Sequence, residues 1–127
     1  PLEYVLCHAD FHGGNVLIDH ASQIFIVDWD APLLAPKERD LMFIGGGIDK
    51  IWLSKRDEAL FYEGYGKTEV NLTALAYYRC ERILVDMVEL CEQLLLTETG
   101  AYDREQALQW FTYNFEPGST IDIAMNT

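Results

Sequence analysis

Apolar residues in the first thirty positions occur in short runs, each bounded by glycine or polar residues. Short β-branched and aliphatic runs with such boundaries are typical of strands. We therefore predict strands over residues 2–7, 15–19 and 24–28. Residues 29–36 contain two prolines, which fix the backbone and remove hydrogen-bond donors, so we expect no regular structure there.

The rest of the chain has apolar positions at helical spacing. We expect Asp40 to cap a short helix that stops at a run of three glycines. Ser54, followed three positions later by Asp57, is close to a capping box. The helix that it starts should end at Gly64 or Gly66.

The longest predicted helix covers about residues 72 to 98, with Asn71 as its N-cap and Gly100 at its end. Its two apolar stripes predict packing on more than one side. Asp103 starts a final helix, after which the chain closes with Pro117 and a polar-aliphatic tail. A small β-part followed by helices predicts an α+β fold that is mostly helical.

The length of 127 residues suits one domain or part of a larger protein, and the 50% apolar content is enough for a packed core. The chain opens with Pro1 and a strand-like run rather than with methionine. We therefore expect it to be a piece of a longer protein. No apolar run has the length of a membrane span, and no signal-peptide pattern opens the chain.

The net charge of −12 argues against nucleic acid as a partner, because phosphate binding needs clustered Lys and Arg. It would suit a cationic small substrate, although an acidic balance also simply keeps a protein soluble. The three cysteines include no CxxC pair, which indicates reduced thiols and a cytoplasmic protein.

Polar residues follow two of the predicted strands. Asp10 and Asn15 lie in a glycine-containing loop after the first strand, and Asp28 ends the third. Phosphoryl transfer to a hydroxyl needs a carboxylate to orient the hydroxyl and accept its proton, and Mg²⁺ to neutralise the phosphates. Mg²⁺ takes oxygen ligands from one or two side chains, so these three residues supply one base and two ligands.

The spacing of these residues resembles a known family. His8-x-Asp10-x-x-x-x-Asn15, followed by the segment 26–30 with sequence IVDWD, is similar to the catalytic loop and metal-binding segment of the aminoglycoside phosphotransferase (phosphotransferase enzyme) family. That family is related to choline kinases and, more distantly, to protein kinases. The segment 35–43 resembles its spectinomycin phosphotransferase branch most. The resemblance implies a protein-kinase-like fold.

The resemblance also implies a role for each matching residue. Asp10 would be the catalytic base or the carboxylate that orients the hydroxyl. Asn15 and Asp28 would bind the Mg²⁺ of the ATP complex, and Asp30 would be a further acid near the metal. The whole enzyme would transfer a phosphoryl group from ATP to a hydroxyl of an aminoglycoside or a similar small polar acceptor.

Two more residues would support the loop. The ring of His8 would hold the loop and the strand before Asp28 by hydrogen bonds. Asp40 would accept backbone N–H groups of the catalytic loop, where each hydrogen bond to a carboxylate contributes roughly 1.5–3 kcal/mol.

The chain departs from the family pattern at its front. It contains no Gly-rich loop and no strand lysine before Asp10 that could pair with phosphates. We expect residues 1–127 to be the C-terminal, catalytic and substrate lobe, with the N-terminal nucleotide lobe absent. Such a fragment should be inactive by itself, and the apolar surface left uncovered should make it a dimer or higher oligomer.

Other interpretations remain open at this point. A kinase-like module could bind small molecules or partners without catalysis. His8, Asp10 and His12 have a spacing that suits zinc in some hydrolases, although no further Cys or His cluster completes the site. The aromatic segment 110–115 could line a substrate pocket, but core packing is the favoured interpretation.

Overall fold

The computed structural model describes residues 2–50, 52–98 and 100–127. In these ranges the first part of the chain forms two antiparallel strand pairs. Strand β2 (Val16–Ile18) pairs with β3 (Ile24–Ile26), and β1 (Tyr4–Cys7) pairs with β4 (Leu33–Pro36). The three predicted strands are confirmed, each with shorter bounds than the sequence suggested.

Strand β4 corrects the prediction that residues 29–36 have no regular structure. Its last residue, Pro36, lies opposite Tyr4 at one end of the ladder, and Pro32 precedes its first residue. Proline is tolerated in edge strands and at strand ends, where its missing N–H removes no ladder bond. The two prolines therefore bound the strand instead of preventing it.

Helices make up most of the remainder, as expected. The described residues contain helices at α1 (Glu38–Leu41), α2 (Lys55–Tyr65), α3 (Leu72–Leu95), α4 (Ala101–Tyr113) and α5 (Thr120–Met125). Two predicted caps are confirmed: Ser54 Oγ accepts the N–H of Asp57 at 3.1 Å, and Asn71 Oδ1 accepts the N–H of Ala74 at 3.0 Å. The starts of α2 and α3 thus follow from local side-chain chemistry.

Several predicted helix ends are wrong. Asp40 lies inside α1, where its carboxylate bonds to another segment, and the cap position belongs to Lys37 without a side-chain bond. Helix α3 ends at Leu95, and Gly100 instead occupies the N-cap position of α4. Helix α5, in the segment that we had expected to be a tail, was not predicted.

The core lies where the turn after α1 packs on α3. Its buried cluster contains Leu41, Met42, Phe43, Ile48 and Leu75. Helix α3 contacts α1, α4 and α5, so packing on more than one side is confirmed. Its second apolar stripe is nevertheless exposed in part, with Leu84 at 65% and Val88 at 57%. No helix in the described ranges has both the length and the apolar content of a membrane span.

Candidate active site

The loop after β1 is held in place by the side chain of His8. The backbone N–H of Asp10 donates to His8 Nδ1 at 3.3 Å, and His8 Nε2 lies 2.7 Å from the carbonyl oxygen of Val27. Because Nδ1 accepts, the proton is assigned to Nε2, which donates to Val27. The buried imidazole therefore ties the loop to the segment that leads to Asp28.

Asp40 fixes the same loop from the other side. Its Oδ2 accepts the N–H of His8 and its Oδ1 accepts the N–H of Ala9, both at 2.8 Å. Ala9 has a φ of 73°, a left-handed conformation that is uncommon for a residue with a side chain. The carboxylate thus stabilises a costly turn immediately before Asp10.

Asn15 connects the loop to the hairpin β2–β3. Its Nδ2 donates to the backbone oxygen of Asp10 at 2.9 Å and lies 3.4 Å from Asp10 Oδ2. Its backbone oxygen accepts the N–H of Val27 at 3.0 Å. The amide nitrogen is used inside the loop, and the amide oxygen is the remaining polar atom of the side chain.

Asp28 and Asp30 line a common open cavity of about 300 Å³ with His8, Asp10 and Arg39. Asp28 is exposed and has a φ of 66°. Backbone of this kind costs energy and occurs frequently at functional sites. Asp10 and Asp28, which are 18 positions apart in the sequence, thus line the same cavity.

A residue that sequence reasoning missed contacts Asp10 directly. Arg82, in the middle of α3, donates through Nη1 to Asp10 Oδ1, and its Nε lies 2.7 Å from Asp86 Oδ1. Its guanidinium carbon lies 5.5 Å from the ring centre of Phe43. The available signal was an arginine within the apolar stripes of α3, where a charged side chain needs a partner.

Charge controls the ionisation of this pair. Burial alone would raise the pKa of Asp10, but the Arg82 guanidinium outweighs it and holds that pKa below its usual value. Burial would lower the pKa of Arg82, but the carboxylates of Asp86 and Asp10 raise it instead. Asp10 is therefore a carboxylate at neutral pH.

Beyond Arg82 lies a second, larger cavity of about 560 Å³ between α3 and α4. Its wall contains the acids Asp86, Glu89 and Asp103, and aromatic surface from Trp110 and Tyr113. Trp110 is 53% exposed. The favoured interpretation of segment 110–115 as core is therefore wrong for these two aromatic residues, which line a pocket.

The arrangement does not suit zinc. Both ring nitrogens of His8 are engaged by backbone groups, and His12 Nδ1 accepts the N–H of Gly14 at 3.1 Å. Among the described residues, no three His, Cys, Asp or Glu side chains are grouped so that they could hold a metal. A cation at this site would need the side-chain oxygen of Asn15, and oxygen atoms of a bound small molecule, in addition to carboxylates.

With this geometry established, comparison with known proteins gives the family. The family model described as the phosphotransferase enzyme family matches residues 1–78, more than half of the chain. The chain belongs to this family. No curated protein matches the chain significantly.

Two solved structures resemble this chain closely. One is spectinomycin phosphotransferase APH(9)-Ia in complex with ADP and spectinomycin, with 46% identity over 96% of this chain and a TM-score of 0.84. The other is the AMP-bound complex of spectinomycin phosphotransferase APH(9)-Ia, with 46% identity over 98% of this chain and a TM-score of 0.83. The expected likeness to that branch and the mixed α and β, kinase-like fold are thus confirmed.

The match covers only part of those relatives. The chain spans 37% and 38% of the length of the two solved chains. Both were crystallised with an adenine nucleotide, ADP in one and AMP in the other.

Proposed function

We propose that the protein containing this chain transfers the γ-phosphoryl group of ATP to a hydroxyl of an aminoglycoside or a similar small polar acceptor. The observation that carries the proposal is the position of Asp10. Asp10 lines one cavity together with Asp28 and Asp30, and its carboxylate contacts Arg82, which lines the larger cavity between α3 and α4. A nucleotide and an acceptor could thus approach one carboxylate from two sides.

In this reaction Asp10 orients the acceptor hydroxyl and takes its proton. The acceptor oxygen forms a bond to the γ-phosphorus, the bond from that phosphorus to the β–γ bridging oxygen breaks, and ADP leaves with the electron pair. Such transfer depends mostly on positioning and on charge neutralisation. A carboxylate with a low pKa suits the orienting role, because it is ionised throughout the neutral range.

Mg²⁺ fits the donor set on the nucleotide side. The amide nitrogen of Asn15 is used within the loop, which leaves its oxygen for a cation, and Asp28 offers a carboxylate in the adjoining cavity. Mg²⁺ usually takes one or two protein oxygens, with water and phosphate completing the shell. We assign Asn15 and Asp28 as its ligands and Asp30 as a nearby acid. The metal would neutralise phosphate charge.

The larger cavity is proposed as the acceptor site. Asp86, Glu89 and Asp103 on its wall outnumber the cations Lys50 and Arg82. A carboxylate-rich wall favours an acceptor that carries ammonium groups, and the half-exposed indole of Trp110 offers an apolar face for a sugar-like ring. The spectinomycin bound in the related structure supports an acceptor of this class.

Residues 1–127 are proposed to form the lobe that carries the catalytic loop and the acceptor site. This part spans 37% of the matched chain, so we propose the activity for the whole protein. We also propose that residues outside this part share in nucleotide binding.

The experiment compares the full-length protein with its Asp10→Asn variant, using Mg·ATP, spectinomycin and a panel of aminoglycosides. Loss of general-base catalysis alone lowers a rate by about 10²–10⁴-fold, and we expect at least that effect on kcat. Glu63→Gln is the matched control, because Glu63 is exposed on α2 and lines neither cavity. Its kcat should equal that of the wild type.

Two results would argue against the proposal. Unchanged kcat in Asp10→Asn would remove the assigned role of Asp10. Calorimetric binding of an amino-sugar without turnover in the unaltered full-length protein would favour a non-catalytic binding module instead.

A further inference from the structure

The contacts of Arg82 link two parts of the proposed site. Arg82 donates through Nη1 to Asp10 Oδ1, while its Nε lies 2.7 Å from Asp86 Oδ1, one helical turn further along α3. The contact with Asp10 is a hydrogen bond, and the contact with Asp86 is a close ion pair in which Nε–H is not aligned as a donor. One rigid guanidinium plane thus contacts two carboxylates at once. Phe43 packs near the guanidinium, with 5.5 Å between Cζ and the ring centre.

The other contacts of the Asp10 carboxylate are long. Oδ2 lies 3.4 Å from Asn15 Nδ2 and 3.5 Å from His12 Nε2. Both distances are longer than those of ordinary N–H···O hydrogen bonds, so these two contacts by themselves would leave the χ angles of Asp10 poorly fixed. A charge-assisted hydrogen bond from Arg82 is stronger. Among the described residues, Arg82 thus makes the closest contact with this carboxylate.

We propose that Arg82 is a positioning residue for phosphoryl transfer: it orients the Asp10 carboxylate, and Asp86 holds Arg82 in place from the acceptor cavity. The inference rests on the proposed function, because it assumes that Asp10 acts on the acceptor hydroxyl. It goes beyond the motif residues, since Arg82 lies 72 positions after Asp10 on another element.

The arrangement also connects acceptor binding with catalysis. Asp86 and Arg82 both line the larger cavity, while Asp10 lines the smaller one. An ammonium group of an acceptor that pairs with Asp86 therefore contacts the same carboxylate that holds Arg82. Loss of Asp86 should change both the KM of a cationic acceptor and kcat, whereas loss of Arg82 should act mainly on kcat.

The test uses Arg82→Ala and Arg82→Lys in the full-length protein, with Mg·ATP and spectinomycin. A misplacement of about 1 Å at a reacting group can cost about 10²-fold, and we expect a kcat loss of that order in Arg82→Ala. The KM of ATP in Arg82→Ala should stay within about threefold of the wild-type value, because Arg82 is not proposed to contact the nucleotide. Arg82→Lys should have a kcat between those of Arg82→Ala and wild type. Lysine keeps the positive charge, but it lacks the planar guanidinium that contacts two carboxylates at once.

Chemical rescue separates positioning from a structural role. Guanidinium at low millimolar concentration can occupy the space that Arg82→Ala leaves, and we expect it to raise kcat of that variant at least several-fold. The matched control is Arg56→Ala, because Arg56 is exposed on α2 and lines neither cavity. Guanidinium should not raise its kcat. If Arg82→Ala does not fold by circular dichroism, Arg82→Gln replaces it in the same comparison of kcat and KM.

The outcomes are distinct. A kcat unchanged by Arg82→Ala or Arg82→Gln, while Asp10→Asn abolishes transfer, would overturn this inference and leave the proposed function intact. A loss confined to KM, or one that neither lysine nor guanidinium relieves, would also overturn it. Absence of transfer by the unaltered protein on every acceptor would overturn both.

Discussion

The carboxylate of Asp40 accepts the backbone N–H of Ala9 at 2.8 Å, across 31 positions of the chain. Ala9 has a φ of 73°. A left-handed backbone costs a residue with a Cβ roughly 1–2 kcal/mol, so the contact offsets a strain in the loop before Asp10. Helix α1 therefore sets the direction in which the candidate catalytic loop leaves β1.

Asp40→Ala should remove this support. We expect kcat of the full-length protein to fall about 10–100-fold, the range seen when outer residues that orient site groups are lost. The free energy of unfolding should fall by about 3 kcal/mol, since two partly buried N–H groups lose their acceptor. Enzyme assays and denaturant titration measure the two effects.

The double variant Asp40→Ala with Ala9→Gly provides the control. Glycine adopts positive φ without steric cost, so it should restore part of the stability lost in Asp40→Ala. Ala9→Gly by itself should likewise be more stable than wild type, because the same backbone strain is relieved. No gain in stability from Ala9→Gly in either background would show that the turn at Ala9 is not strained.

Substitution by alanine at two glycines should change the free energy of unfolding in opposite directions. A Cβ at Gly46 would lie 2.2 Å from the backbone oxygen of Met42, which requires the buried turn to shift. We expect Gly46→Ala to lower the free energy of unfolding by about 3 kcal/mol, within the range for overpacking. A Cβ at Gly64, within α2, meets nothing within 4 Å. Gly64→Ala should stabilise the protein by about 0.5–1 kcal/mol through helix propensity.

Thermal and denaturant unfolding of both variants test this pair. Equal stability of Gly46→Ala and wild type would mean that the turn relaxes without cost. A lower free energy of unfolding in Gly64→Ala than in wild type would show that the added methyl group is not accommodated on α2.

Cys7 should make stability depend on pH in the alkaline range. Its side chain is fully buried, and burial, with the nearby charge of Asp40, raises the pKa of the thiol to about 11. The unfolded chain releases this proton near pH 9, so the thiol stabilises the folded state below pH 9. That contribution is lost as the pH rises from 9 through 11.

The measurement compares wild type with Cys7→Ala at pH 8 and pH 10.5. By linkage, wild type should lose on the order of 2 kcal/mol more than the variant, which has no group to titrate at this position. A parallel pH dependence of the two proteins would show that Cys7 has an ordinary pKa.

Local chemistry was enough to predict some elements. The apolar runs near the start placed three strands, and Ser54 and Asn71 placed the starts of α2 and α3, because an N-cap side chain bonds to backbone two or three residues away. The loop from His8 to Asn15 could be recognised for the same reason, since its residues are close in sequence.

Helix α5 illustrates what local signals do not show. Its six residues include β-branched Thr120 and Ile121, which have low helix propensity. The helix is stabilised by contacts from elsewhere: Thr120 Oγ1 donates to Asn114, and Arg79 on α3 donates to Thr127 Oγ1 at 2.7 Å. Tertiary packing overrides propensity in such short helices.

The sequence by itself determined three of the four described strands, the main helices and a loop whose residue spacing places Asp10 and Asn15 together. Only the tertiary structure decided that Arg82 contacts Asp10, that Asp40 lies inside α1 instead of capping it, and that Trp110 lines a cavity. The physical reason is distance along the chain. Patterns and caps act over a few residues, whereas these contacts join elements tens of positions apart and depend on how helices pack around the core.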